Sequence, residues 1–316
     1  MKWKSQGAAY ESALDYMTRR AKGDILSLKT PWQAMNKVGI DGFEFPSTIV
    51  IAGRPGSGKS LVEQIIVKHA FTSNKLPELR SLRFQYEMVG RVSAIREFSS
   101  AIQKSYSYIC SAEDNVISQQ EYEACVKYAQ SMNKLPIDIV DEPLTVPQMA
   151  AEIKEYFKTY NCKHLLVTID HSLLVKKLPG QDIQEMIFDL GSMMTTLKKQ
   201  YPVIFVVLSQ LNRGVDTIER SKEGTAGNYL LDSDIFGSDF LLQFTDVLVG
   251  INRPGLKNIR IYGPEKYQIV DKNIIVMHYL KVRNGEPAMS FYRGEFDKMN
   301  IVSIPPPNTQ SISFKP

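Results

Sequence analysis

One segment constrains the fold more than any other. The run Ser47-Thr48-Ile49-Val50-Ile51-Ala52 leads into Gly53-Arg54-Pro55-Gly56-Ser57-Gly58-Lys59-Ser60, and an amphipathic stretch follows from Leu61 to Phe71. The glycine-rich part fits G-x-x-x-x-G-K-[ST] at every fixed position. A buried strand feeding such a turn and then a helix aims several backbone N–H groups and a helix N-terminus at one point, which suits a di- or triphosphate. In that arrangement Gly53, Arg54, Pro55, Gly56, Ser57, Gly58, Lys59 and Ser60 line the nucleotide. Lys59 reaches the β- and γ-phosphates, and the Ser60 hydroxyl is a ligand for the accompanying Mg²⁺.

The rest of the chain has the alternation that such a loop requires. Strands are expected at Ser47–Ala52, Leu82–Tyr86, Ile137–Val140, Leu165–Ile169 and Val203–Leu208. Helices are expected between them at Ser60–Phe71, Arg91–Ser105, Ser118–Asn133, Val146–Tyr160 and Asp182–Gln200. This is the pattern of an α/β fold, a mostly parallel sheet flanked by helices. Beyond Asn212 the alternation stops. A loop rich in Gly, Asp and Ser (Arg213 to Asp239) leads to strand-like Val247–Ile251, Asn273–Val282 and Ala288–Arg293, read as an antiparallel extension. The boundaries expected are a linker helix within residues 1–25 (Ala8 to Ala21), a nucleotide-binding domain over 26–303, and a disordered proline-rich tail over 304–316.

Composition excludes little and bounds much. Basic residues number 38 against 34 acidic, a net +4 that neither demands nor excludes a nucleic-acid partner. Three scattered cysteines form neither a disulfide framework nor a zinc site. No stretch approaches the ~18 to 20 apolar residues of a membrane span, and the amino terminus has no apolar signal core. A cytoplasmic protein without membrane partners is expected.

Hydrolysis needs more than a phosphate loop. Leu165 to Asp170 is an apolar strand ending in a carboxylate at the sheet edge where open α/β sheets bind ligands, so Asp170 is the expected metal-shell residue; an Asp capping the next helix has the same sequence signature. His171 beside it reads as a wall residue. Glu87, just past the strand Leu82–Tyr86, is placed to polarise an attacking water, or simply to open the next helix. Gln210 ends another apolar strand and can report on the γ-phosphate.

Taken together, Gly53 to Ser60, Tyr86-Glu87-Met88, the strand ending at Asp170, Leu208-Ser209-Gln210-Leu211-Asn212-Arg213, Ser233 to Ser238 and Lys281-Val282-Arg283-Asn284-Gly285 occur in the order of a known motor domain. The chain resembles the RecA-like P-loop NTPase core of DnaB-type replicative helicases over roughly Leu26 to Ile301. The resemblance implies an ATP- and Mg²⁺-dependent DNA helicase, encoded by a phage or other mobile replicon, that acts in replication as a hexameric ring around single-stranded DNA. A loader and a primase are the further partners implied. It also implies Glu87 as catalytic carboxylate, Gln210 as sensor, and Lys281 with Arg283 as a pair acting on the neighbouring subunit's γ-phosphate. Alternate strand positions give that pair one face, which suits a two-pronged clamp but also a solvated edge.

Two departures stand out. Only residues 1–25 precede the motor, where such helicases usually carry a primase-interacting domain. His171-Ser172-Leu173-Leu174 and Phe236-Gly237 replace the family's usual Tyr-Leu-Gln-Leu and Arg-Glu. The basic loops Val175 to Gly180 and Arg213 to Lys222 are the expected DNA track, with Lys176, Lys177, Arg213 and Arg220 on phosphates. The rival expectations are a RecA-fold ATPase without unwinding activity, serving as a loader or as a regulatory or structural oligomer, and a recombinase-like filament protein.

Overall fold

The computed structural model describes residues 3, 5–87, 90–113, 116–221 and 229–308. Met88, Lys222 and the tail from 309 to 316 lie outside the described residues. The chain begins with helix α1 (Gln6–Ala21), then β1 (Ser27–Leu28) and β2 (Phe43–Glu44), which pair across α2 (Gln33–Val38). The alternating part follows as β3 (Ser47–Gly53), α3 (Lys59–Thr72), β4 (Leu79–Gln85), α4 (Gly90–Ile102), α5 (Tyr106–Cys110), α6 (Gln119–Met132), β5 (Ile137–Val140), α7 (Val146–Tyr160), β6 (His164–Asp170), α8 (Ile183–Lys198) and β7 (Val203–Gln210). Then come α9 (Ser238–Phe244), β8 (Val247–Asn252), the small pair β9 (Ile261–Tyr262) and β10 (Tyr267–Gln268), and finally β11 (Ile274–Val282), β12 (Ala288–Glu295) and β13 (Asn300–Ile304).

A sheet of nine strands in the order β13-β12-β11-β8-β3-β7-β6-β4-β5 organises the molecule. The central strands are apolar on both faces because both faces are covered, as parallel sheets require. Val50 and Ala52 of β3, with Phe205 and Val207 of β7, join the core beneath α7 and α8, whereas Ile49, Ile51, Ile204, Val206 and Leu208 join the core beneath α3. The period of two along each strand thus sorts one apolar run into two cores. Among the described residues no helix is long and apolar enough to cross a membrane.

Four expectations change. The strand at Val247 pairs parallel with β3, so the antiparallel part begins only with β11. The helix expected over Arg91–Ser105 stops at Ile102, since Gln103 turns to φ 56°, and Ser105 caps a separate α5 by accepting from the Tyr108 N–H. Within the long loop after Asn212, helix α9 forms where none was expected. Ile304, assigned to the tail, is the last residue of β13 and pairs with Phe291.

A buried ion pair ties α3 to β4. Arg83, with its side chain 5% exposed, donates through Nε (3.1 Å) and Nη2 (2.7 Å) to Glu63, whose side chain is 1% exposed. Removing one member of such a pair leaves an uncompensated buried charge, a loss of about 3 to 5 kcal/mol, while replacing both with apolar residues of similar volume is close to neutral. Arg83→Met is therefore expected to lower unfolding stability by that amount in urea titrations, and adding Glu63→Leu to restore most of it. Equal stability of the single variant and the native chain would contradict the pair's burial.

Candidate functional site

The loop after β3 closes as its residue types dictate. A Cβ on Gly53 would meet the Ser57 Oγ at 2.4 Å and the Ile251 carbonyl oxygen at 2.9 Å, so the first glycine is required by close approach. Gly58 sits at φ 100° immediately before α3, a conformation that disfavours any side chain. Lys59 opens the helix, nearly buried, and donates from Nζ to the Gly53 carbonyl (2.8 Å) and the Arg54 carbonyl (3.1 Å). Burial lowers its pKa.

Register then brings the other strand ends alongside. Gly53 lies opposite Gln210, and Gln85 lies opposite Asp170, with the Tyr86 N–H donating to the Asp170 carbonyl at 2.9 Å. Glu87 follows one residue later, half exposed, with its carboxylate 3.9 Å from the His171 Nε2. Burial, with the charges of Glu63 and Glu87 adding to it, pushes the Asp170 carboxyl up to about 7 against the Ser60 hydrogen bond and the Lys59 cation. Its Oδ1 is buried with no hydrogen-bond partner, and so is the Ser57 Oγ. A buried carboxylate oxygen left unpaired beside a serine hydroxyl is an oxygen donor set that fits Mg²⁺.

His171 is more than a wall residue. Its Nδ1 accepts from the Leu173 N–H (3.3 Å), and burial lowers its pKa, so the neutral ring carries its proton on Nε2. That nitrogen lies 3.2 Å from the Gln210 side-chain amide, which can turn its oxygen toward the N–H. The histidine therefore stands between the carboxylate of Glu87 and the expected sensor.

A cavity of about 460 Å³ extends from the loop, with Pro55, Lys59 and Ser60 on one side and Arg96, Tyr106 and Phe296 on the other. This volume is in the range of small-molecule sites. The Arg253 guanidinium lies 3.9 Å over the Phe296 ring and donates to the Gly56 carbonyl at 2.7 Å. These flat groups beside the phosphate loop suit a nucleobase. Asp216, on the loop after Gln210, pairs with both Arg54 of the phosphate loop and Lys257. Sequence reasoning missed Arg253, Phe296, Tyr106 and Asp216. Arg253 carried a usable signal, since it follows the apolar run Val247–Ile251 much as Asp170 and Gln210 end theirs.

The remaining expected residues fall elsewhere. Lys176 and Lys177 are exposed on the segment after β6, and Arg213 is exposed just after β7, so all three emerge from the edge that carries the phosphate loop. Arg220 differs. It donates to both oxygens of Asp234 (2.8 and 2.7 Å) and to the Tyr229 carbonyl, which commits its guanidinium to holding the loop. Lys281 and Arg283 lie at the opposite edge. Ile49 pairs with Val247, and Val247 with Val282, whereas the phosphate loop starts at Gly53. The four residues of strand from Ile49 to Gly53 amount to about 13 Å. In its own subunit the pair therefore faces away from the nucleotide.

The family model described as the DnaB-like helicase C-terminal domain matches residues 27–293. The chain belongs to that family. The replicative DNA helicase DnaB of Nostoc sp. is 27% identical over 176 residues, 55% of this chain and 19% of that protein. Its counterpart in Buchnera aphidicola is 25% identical over 234 residues, 73% of this chain and 48% of that protein. The chain thus spans less than half the length of either relative. A solved helicase-type ATPase domain superposes with a TM-score of 0.77 at 17% identity, over 93% of this chain and 98% of that one. The solved structure of a DnaB-like replicative helicase, described with its interactions with primase, superposes with a TM-score of 0.77 at 17% identity, over 93% of this chain and 66% of that one. Both are likenesses of fold. Like them, the DnaB-like domain described above is a RecA-like ATPase fold, with its antiparallel strands confined to one side of a parallel core.

Proposed function

We propose that this DnaB-like domain is the ATP-hydrolysing motor of a replicative DNA helicase, working on single-stranded DNA as a ring of identical subunits, six in number. The observation that carries this reading is the meeting of Lys59, Ser60, Asp170, Glu87 and Gln210 at one sheet edge within a chain of that family. Lys59 would leave the loop carbonyls it now holds and bind the β- and γ-phosphates of ATP. Ser60 and Asp170 would hold Mg²⁺, which when bound neutralises phosphate charge. Glu87 would take the proton of the attacking water, with His171 and Gln210 linking that carboxylate to the β7 end. Lys281 and Arg283 would complete the site of the next subunit. The exposed apolar residues Tyr10, Leu14 and Met17 of α1 suit an arm lying on a neighbouring copy. Residues 26–303 would form the motor, residues 1–25 its linker, and the stretch after β13 a tail. A loader and a primase are the outside partners of this reading, and the cytoplasm its setting.

The test is the ATPase rate with and without single-stranded DNA, together with variants of the track. Stimulation by DNA is expected. Lys176→Ala, Lys177→Ala and Arg213→Ala should each weaken binding alike on different single-stranded sequences, and each should shallow the dependence of log K on log salt by about 0.7. Unchanged affinity in all three would remove the DNA-loop assignment and leave the ATPase one standing.

A further inference from the structure

The end of α9 and the residue Asp246 form a compact holder for the two cations at the far edge of the sheet. Lys281 donates from Nζ to the Leu242 carbonyl, and Arg283 donates from Nη2 to the Gln243 carbonyl at 3.3 Å. The Arg283 Nε lies 3.2 Å from the Asp246 Oδ1. The other carboxylate oxygen of Asp246 accepts from the Thr48 N–H (2.8 Å) and from Lys198 Nζ (2.5 Å). The backbone repeats the connection, because the Asp246 N–H donates to the Thr48 carbonyl and the Arg283 N–H donates to the Asp246 carbonyl, both at 2.9 Å. Asp246 is thus fixed to the first residues of the central strand β3, to the end of α8 and to the strand that carries the cations.

A long arginine side chain at a surface has many rotamers, and ordering it costs up to about 2 kcal/mol. A carboxylate already held by two other donors removes part of that cost before a partner arrives. The Arg283 side chain is nevertheless 51% exposed, so its guanidinium remains open to a group brought from outside the subunit.

We propose that Asp246 is a positioning residue for catalysis in trans: it fixes Arg283 in the pose from which the guanidinium meets the γ-phosphate bound by the adjacent subunit. This rests on the proposed role of Arg283 across the subunit interface. Asp246 itself touches no nucleotide. Its loss should therefore damage the neighbour's site and spare its own.

Complementation in mixed oligomers separates these cases. Asp246→Asn keeps an oxygen for the Thr48 N–H but removes the charge that faces Arg283. Misplacement of such a group costs on the order of 10²-fold in turnover, while the affinity for a non-hydrolysable ATP analogue should stay within about twofold. Mixed with Lys59→Ala subunits, Asp246→Asn subunits should regain activity beyond the sum of the two alone, since some interfaces then join an intact loop to a well-placed Arg283. Mixed with Arg283→Ala subunits they should regain none, because both lack the same half of the interface. If Asp246→Asn complements both partners, or neither, while Lys59→Ala and Arg283→Ala complement each other, the positioning role is wrong. If Lys59→Ala and Arg283→Ala fail to complement each other in confirmed mixed oligomers, the trans reading falls and takes this role with it. Asp246→Glu, which keeps the charge and displaces it by one methylene, is read in the same way should the asparagine variant not fold.

Discussion

Arg283→Ala is expected to reduce ATP hydrolysis by roughly 10³ to 10⁵, the contribution of a cation acting in trans on a transferring phosphoryl group, while ATP still binds. Geometry supports the expectation. The side chain lies at the sheet edge opposite the phosphate loop, beside Asp246 and Gln243, and has no route to its own nucleotide. If it contributes to hydrolysis through the γ-phosphate, the phosphate belongs to another copy. Arg283→Ala subunits mixed with Lys59→Ala subunits should then recover part of the activity that each lacks alone. Normal hydrolysis by Arg283→Ala, or a mixture that stays inactive although size analysis confirms mixed oligomers, would reduce the functional reading to a nucleotide-binding RecA-like domain.

Lys59→Ala is expected to abolish hydrolysis and weaken nucleotide binding together, whereas Glu87→Gln should preserve binding and slow turnover by about 10²-fold or more. The two differ because the lysine charge acts on bound phosphate throughout, while the carboxylate acts only as the water loses its proton. In the nucleotide-free chain Lys59 is held by the Gly53 and Arg54 carbonyls, both within the loop it serves, so it is kept in place before ATP arrives. Glu87 is half exposed and next to His171, open to water and to the proton it would accept. Measured kcat and nucleotide Kd decide the case. Turnover of Glu87→Gln at the native rate would make Glu87 an ordinary residue between β4 and α4.

What was legible in the sequence follows how local each feature is. The phosphate loop is contiguous, and its glycines, lysine and serine act within a single turn, so pattern alone placed them. Asp170 and Gln210 were legible for a related reason: in a parallel sheet every strand runs toward the same edge, so a polar residue ending an apolar run lands near the loop. Arg253 obeys the same logic and was passed over because β8 was grouped with the antiparallel strands that follow it. The Glu63–Arg83 pair left no trace in the sequence, since a charged residue at a strand position reads as exposed until a partner from another element is known to face it.

The sequence by itself determined the alternation of strands and helices, the phosphate-binding turn and the set of strand ends that meet it, because these depend on residue type and on a period of two or 3.6 along the chain. Only the tertiary structure decided which neighbours each side chain meets. It paired Arg220 with Asp234, withdrawing that guanidinium from the expected track. It set His171 against Gln210 and Glu87, and it stacked Arg253 on Phe296 beside the loop. It also placed Lys281 and Arg283 at the edge away from the nucleotide. Strand order and direction fix those positions, and both arise from the packing of the whole sheet, on which no short stretch of sequence carries information.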